Sequence, residues 1–205
     1  MYLTIAIIGV TILISVLGFY NQEIFSRCKF NAYDVRHANH WYRFFTYGFF
    51  HAGWVHLAVN LIVFYSFGGL VEKGYGYYFG SKHILYFLLL YFGALLVSIL
   101  PSYGKHRNDV FYNAVGSSGA ISAVVFAAIL LDPKMKVFLF FIPVGIPAVA
   151  FGFLYLAYEF YMSKRGRDNI GHDAHFWGAL FGIIFTLAAK PAIATAFLQQ
   201  LGWMQ

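Results

Sequence analysis

Ser118, His56, Asn60 and the pair His172/His175 are polar residues set inside or at the mouths of strongly apolar runs. Ionisable and strongly polar side chains are costly at membrane depth, so each is a candidate for chemistry. Ser118 belongs to Gly116-Ser117-Ser118-Gly119, which opens the apolar run ending Ile129-Leu130-Leu131. His56 and Asn60 are four apart and share one helix face, and His51 precedes them in a connecting segment. His172 and His175 are three apart, and Gly178 and Gly182 follow them.

A serine becomes nucleophilic when a neighbouring base takes its proton, and histidine is the usual base near neutral pH. The negative oxygen that develops on an attacked carbonyl needs donors already in place. His56, Asn60 and the Ser118 backbone N–H are candidates. Gly116 and Gly119 remove bulk that would keep a peptide from Ser118. Gly178 and Gly182 form a small-x-x-x-small pair that lets two helices press together and brings His175 to Ser118. Each feature also has a plainer reading. Serine in a membrane helix often bonds back to its own carbonyls, and His56, Asn60 or the glycine pair can be simple inter-helix packing. All of them in one small protein are harder to explain that way.

The four histidines His51, His56, His172 and His175 also raise a metal site. Their spacing lacks the His-Glu-x-x-His pattern, and no second cysteine accompanies Cys28, so no metal is expected. Asp173 falls on the far side of the helix from His175 and suits the helix N-terminus. Glu159, late in an apolar run, is expected to reach toward the membrane interface.

The elements that must carry these residues follow from composition. Of the 205 residues 60% are hydrophobic and only 11% charged, where a soluble domain carries about a quarter charged. The expectation is an integral membrane protein, all-α and multi-pass. Its net charge of +6 lies in short clusters between apolar runs, which suits lipid headgroups better than nucleic acid. Spans need about 20 mostly apolar residues, and residues 3–20, 54–70, 84–100, 114–131 and 174–189 provide five. The first has no basic leader or small-residue cleavage site and is read as a retained span. Another candidate is broken by Pro143 and Pro147. There 137–146 should be partly extended, with Pro147 opening a helix to about residue 162. The tail 192–205 should lie at the interface. The connection 21–53 is too polar to cross and long enough to have structure of its own. With no internal repeat, residues 1–205 read as one domain. Lys and Arg are more numerous in the first, third and fifth connections, which by the positive-inside rule puts both termini outside.

Four blocks in order resemble the rhomboid family of intramembrane serine proteases. Trp41-Tyr42-Arg43 resembles the Trp-Arg element of the family's membrane-embedded first loop. His51-Ala-Gly-Trp-Val-His56-Leu-Ala-Val-Asn60 is similar to its His-x4-His-x3-Asn. Gly116-Ser117-Ser118-Gly119 matches its Gly-x-Ser-Gly, and Ala174-His175-Phe-Trp-Gly178-Ala-Leu-Phe-Gly182 its Ala-His-x2-Gly-x3-Gly. The resemblance implies a minimal core of six transmembrane helices around a polar catalytic cavity. It also implies a Ser118–His175 dyad with no acidic third member, and an oxyanion site of His56, Asn60 and the Ser118 amide. It chooses Ser118 over Ser117 and His175 over His172, needs no cofactor, and places the termini in the cytoplasm, with the cell's inner or plasma membrane as the setting. Its substrates would be single-pass transmembrane proteins. Some members stack a tyrosine, four residues after the nucleophile, on the catalytic histidine. Here Ser122 stands at that position, so ring support is expected from Phe126 or Trp177. Two rival readings are an inactive relative that binds membrane helices and guides their traffic, and a transporter with a histidine relay.

Overall fold

The computed structural model describes residues 1–138, 144–165 and 170–204. Its backbone is mostly helical, which suits apolar segments whose N–H and C=O groups have no water to bond. The long helices are α1 (Tyr2–Tyr20), α5 (Trp54–Phe79), α6 (His83–His106), α7 (Ser118–Leu131), α8 (Ala148–Arg165) and α9 (His172–Ala189). A terminal helix, α10 (Ala192–Leu201), turns off α9 by 110° at Lys190-Pro191. Tyr2–Tyr20 and the stretch Trp54–His106 are long and apolar enough to cross a membrane, as is α9 taken with α10.

At the centre lies α7. Every residue from 119 to 130 is buried, as expected of a helix that is apolar all round, and α5, α6, α8, α9 and α10 all pack on it. It has only 14 residues, short for a span of about 20. The expected span 114–131 therefore begins late. Asn113–Ala114 is instead a strand, β2, paired antiparallel with β1 (Phe30–Asn31). Gly116 then reverses the chain at φ +108, and the helix starts at Ser118.

The connection after α1 is built from short helices: α2 (Gln22–Cys28), α3 (Ala32–His37) and α4 (Arg43–Thr46). Asn21 caps α2 by accepting from the Glu23 and Ile24 amides, and Asn31 caps α3 at the Asp34 amide. Arg43, buried, ties the three together. Its guanidinium donates to the Ser26 and Lys29 carbonyls and meets Asp34 at 3.0 Å. Trp41 is exposed and leans on Phe44 and Tyr103.

Glu72 solves a different problem. It is buried within α5, and its carboxylate accepts from the Leu3 and Thr4 amides and the Thr4 hydroxyl. An acceptor on one helix thereby satisfies the orphan donors that open another. The proline-interrupted segment pairs β3 (Lys136–Val137) with β4 (Ile146–Pro147) before α8 begins at Ala148. Its middle, 139–143, lies outside the described residues.

Candidate functional site

Ser118 is the first residue of α7, and its Oγ stands 2.8 Å from His175 Nε2. Two features of the backbone make that approach possible. The pre-helical loop is fixed, because the Gly116 amide donates to the Tyr47 carbonyl and the Asn31 side chain donates to the Val110 and Tyr112 carbonyls. Helix α9 also lies against α7 with almost no side chain between them. A Cβ on Gly178 would fall 2.7 Å from the Gly119 carbonyl carbon, and one on Gly182 would fall 2.6 Å from the Ala123 Cα. Only glycine tolerates such contact.

Gly116 and Gly119 do something other than clear a path for a peptide. A Cβ on Gly116 would meet the His56 ring at 2.7 Å, and its positive φ already disfavours other residues. A Cβ on Gly119 would meet the Ser98 Oγ at 2.5 Å and the Ala174 carbonyl at 3.1 Å. The protein's own groups fill both spaces. Ser117 is buried, and its carbonyl begins the α7 ladder by accepting from Ile121.

His56 therefore sits beside the loop that presents Ser118. Asn60, one turn further along α5, is buried and donates through Nδ2 to the His56 carbonyl at 2.9 Å. Its second N–H is the one that can serve an external acceptor. His51 is buried and turned toward α1. Its Nδ1 lies 2.9 Å from the Ser15 hydroxyl, which also donates to the Phe49 carbonyl, and its ring packs edge-on to His56 at 5.0 Å.

The acidic partner was not foreseen. Glu159 does not reach for the interface. Its side chain is only 5% exposed, and its carboxylate bridges two imidazoles. Oε1 stands 3.1 Å from His175 Nδ1, and Oε2 stands 2.5 Å from His172 Nδ1. The resemblance implies no acidic third member; the structure places a carboxylate on His175 Nδ1, on the far side of the ring from Ser118. A spacing of 16 residues gave no signal, because the pairing depends on how α8 turns toward α9. Ring support from Phe126 or Trp177 is also not found. The ring described beside His175 is that of His172, edge-on at 6.3 Å, while Trp177 meets Phe176 and Phe126 meets Tyr155. Ser122 bonds the Tyr155 hydroxyl at 2.8 Å, which ties α7 to α8.

Among the described residues, the histidines do not gather into a four-nitrogen cage. Glu159, His172 and His175 are the groups whose donor atoms lie close enough to hold a metal, within 4.8 Å of one another, and they already satisfy each other by hydrogen bonds. A cavity of about 250 Å³, with Ser102, Lys105, His106, Tyr112, His172 and Asp173 in its wall, opens beside the N-terminus of α9. Neither Ser118 nor His175 lines it. Asp173 is in the first turn of α9, 4.0 Å from Lys105.

Chemically, the arrangement can take the Ser118 proton onto His175 at the positive end of a buried helix. The helix's first amides, with His56 and Asn60 nearby, are potential donors to an oxyanion.

Two Arabidopsis thaliana proteins are similar in sequence. RHOMBOID-like protein 12, mitochondrial, is 28% identical over 148 residues, which is 68% of this chain and 44% of that protein. Rhomboid-like protein 11, chloroplastic, is 33% identical over 154 residues, 70% of this chain and 51% of that protein. The chain thus spans about half the length of these relatives. Their names point to organelles and give the expected inner or plasma membrane no support; what stands is a membrane protein. The family model described as the Rhomboid domain matches residues 38–191, from the end of α3 through α9, and so takes in Arg43, His56, Asn60, Ser118, Glu159 and His175. The chain is a member of the rhomboid family.

Proposed function

We propose that this chain is an intramembrane serine endopeptidase that cleaves transmembrane helices of single-pass membrane proteins. In this reading α1, α5, α6, α7, α8 and α9 are six membrane spans surrounding the Ser118 site. The observation that carries it is the 2.8 Å contact between Ser118 Oγ and His175 Nε2 at the start of a buried helix. A hydroxyl in such a place needs only a carbonyl oxygen to be satisfied. Here it meets an imidazole nitrogen from another helix.

The reaction follows from that pair. His175 Nε2 takes the Ser118 proton as Oγ attacks the scissile carbonyl carbon, and the carbonyl oxygen becomes an oxyanion. The Ser118 amide, Asn60 and His56 donate to it. His175 then returns the proton to the leaving amine as the C–N bond breaks, leaving an acyl ester on Ser118. Water, deprotonated by the same Nε2, attacks the ester; as the C–O bond to Ser118 breaks, Nε2 gives that proton to Oγ and the new carboxyl end is released. No step draws on a cofactor. Substrate helices that carry glycine, proline or small polar residues near one end would unwind into the site most readily.

The test is cleavage of a reporter transmembrane helix in proteoliposomes. Wild type should cut it, and Ser118→Ala and His175→Ala should fall to background with unchanged melting. A wild-type protein that binds the reporter and leaves it intact would instead support the helix-binding relative.

A further inference from the structure

The geometry points to Glu159 as a positioning residue for the Ser118–His175 pair, itself held in place by His172. The inference rests on the proteolytic reading above and adds a residue that acts on its base.

A carboxylate accepts and cannot donate, so both imidazoles must present Nδ1–H to it. For His175 that choice decides the chemistry. With the proton on Nδ1, the Nε2 lone pair faces Ser118 Oγ, 2.8 Å away, and can take its proton. With the proton on Nε2, His175 would donate to Ser118 Oγ and could not act as the base. In a free imidazole either nitrogen carries the proton, and the hydrogen bond made by one nitrogen sets the state of the other.

Charge points the same way. When Ser118 gives up its proton, His175 becomes an imidazolium with Glu159 Oε1 3.1 Å from its far side. The carboxylate is nearly sealed from solvent, so its field is little screened. It stabilises the ion pair that forms on the way to the tetrahedral intermediate without itself taking the proton.

Rigidity completes the case. The His175 ring is gripped at both ends, by α7 through Ser118 and by α8 through Glu159. Glu159 is gripped in turn by His172 on its other oxygen, and α8 is pinned to α7 by the Ser122–Tyr155 bond one turn earlier. A base held this way keeps its line to the nucleophile, where a displacement of about 1 Å can cost about 10²-fold in rate.

The experiment is steady-state cleavage of the reporter helix by wild type, Glu159→Gln and His172→Gln, with melting temperatures measured alongside. Glutamine fills the same volume but carries no charge, and it can turn an N–H toward Nδ1. For Glu159→Gln, kcat should fall by about 10² or more while KM and melting stay near wild type. For His172→Gln, which loosens the carboxylate without removing it, kcat should fall by about tenfold. Should Glu159→Gln fail to fold, Glu159→Asp decides, because it keeps the charge and withdraws it by one methylene; kcat should again fall with KM unmoved. Unchanged kcat in the folded Glu159 variant, or a loss of activity that only parallels a loss of melting temperature, would overturn the positioning role. Cleavage by wild type separates the cases: no wild-type cleavage and no labelling of Ser118 would sink the protease reading itself.

Discussion

Gly178 lies directly on Gly119 across the α7–α9 contact, so close that a Cβ on Gly178 would meet the Gly119 carbonyl carbon at 2.7 Å. Neither glycine has any chemistry, yet this contact sets the distance between the helices that carry Ser118 and His175. Gly178→Val and Gly182→Val should each lower cleavage by about 10²-fold or more, because the helices must separate. Both should also melt earlier, since forcing volume into a closed contact costs about 1–3 kcal/mol. Thermal melting and reporter cleavage on the same samples check both effects.

Asn60→Ala should lower kcat by about 10²–10³ with KM little changed, the signature of a donor that acts on charge present only in the transition state. One Asn60 N–H is already spent on the His56 carbonyl, so removing the side chain also frees that carbonyl. Melting temperature separates the two effects, because the lost bond to the carbonyl lowers stability whereas a lost oxyanion donor lowers kcat alone. Unchanged kcat in Asn60→Ala would assign Asn60 to helix packing.

How much of this was legible in the chain differs from residue to residue. Ser118, His56 and Asn60 stand out because a polar group in an apolar run is rare and therefore visible. The Gly178/Gly182 spacing suggested a close helix contact, and α9 does lie on α7 there. Glu159 was misread for a physical reason. A lone carboxylate late in an apolar helix satisfies the rule for reaching the interface equally well. What decides between reaching outward and bonding inward is the rotation of α8 against α9, which no local pattern encodes. Glu72 hid in the same way, because capping another helix requires knowing which helix end comes to rest beside it. The start of α7 was placed too early, since Ala114 and Val115 are apolar, while the backbone at Asn113–Ala114 pairs as a strand and the helix begins only at Ser118. Pro147 marked the start of α8, which begins at the next residue, while Pro143 lies outside the described residues.

Arg43→Ala should destabilise the protein by about 2–3 kcal/mol, because a buried guanidinium that serves two carbonyls is removed and leaves them unmet. Arg43→Lys should recover only part of that, since a single ammonium cannot reproduce the fork that spans Ser26, Lys29 and Asp34. Denaturation in detergent measures it. Near-wild-type stability in Arg43→Ala would show that the segment between α1 and α5 holds together without it.

Chelation should leave reporter cleavage unchanged, because Glu159, His172 and His175 already bond one another and the proton path needs no ion. Loss of cleavage with a strong chelator, restored by zinc, would mean that these three donors hold a metal.

The most direct test of the nucleophile and its base is covalent. Purified protein treated with a fluorophosphonate and mapped by peptide mass should carry the adduct on Ser118, and not on Ser117 or Ser122. His175→Ala should abolish that labelling although Ser118 is still present. An adduct on another serine, or labelling of Ser118 that proceeds equally well without His175, would contradict the account.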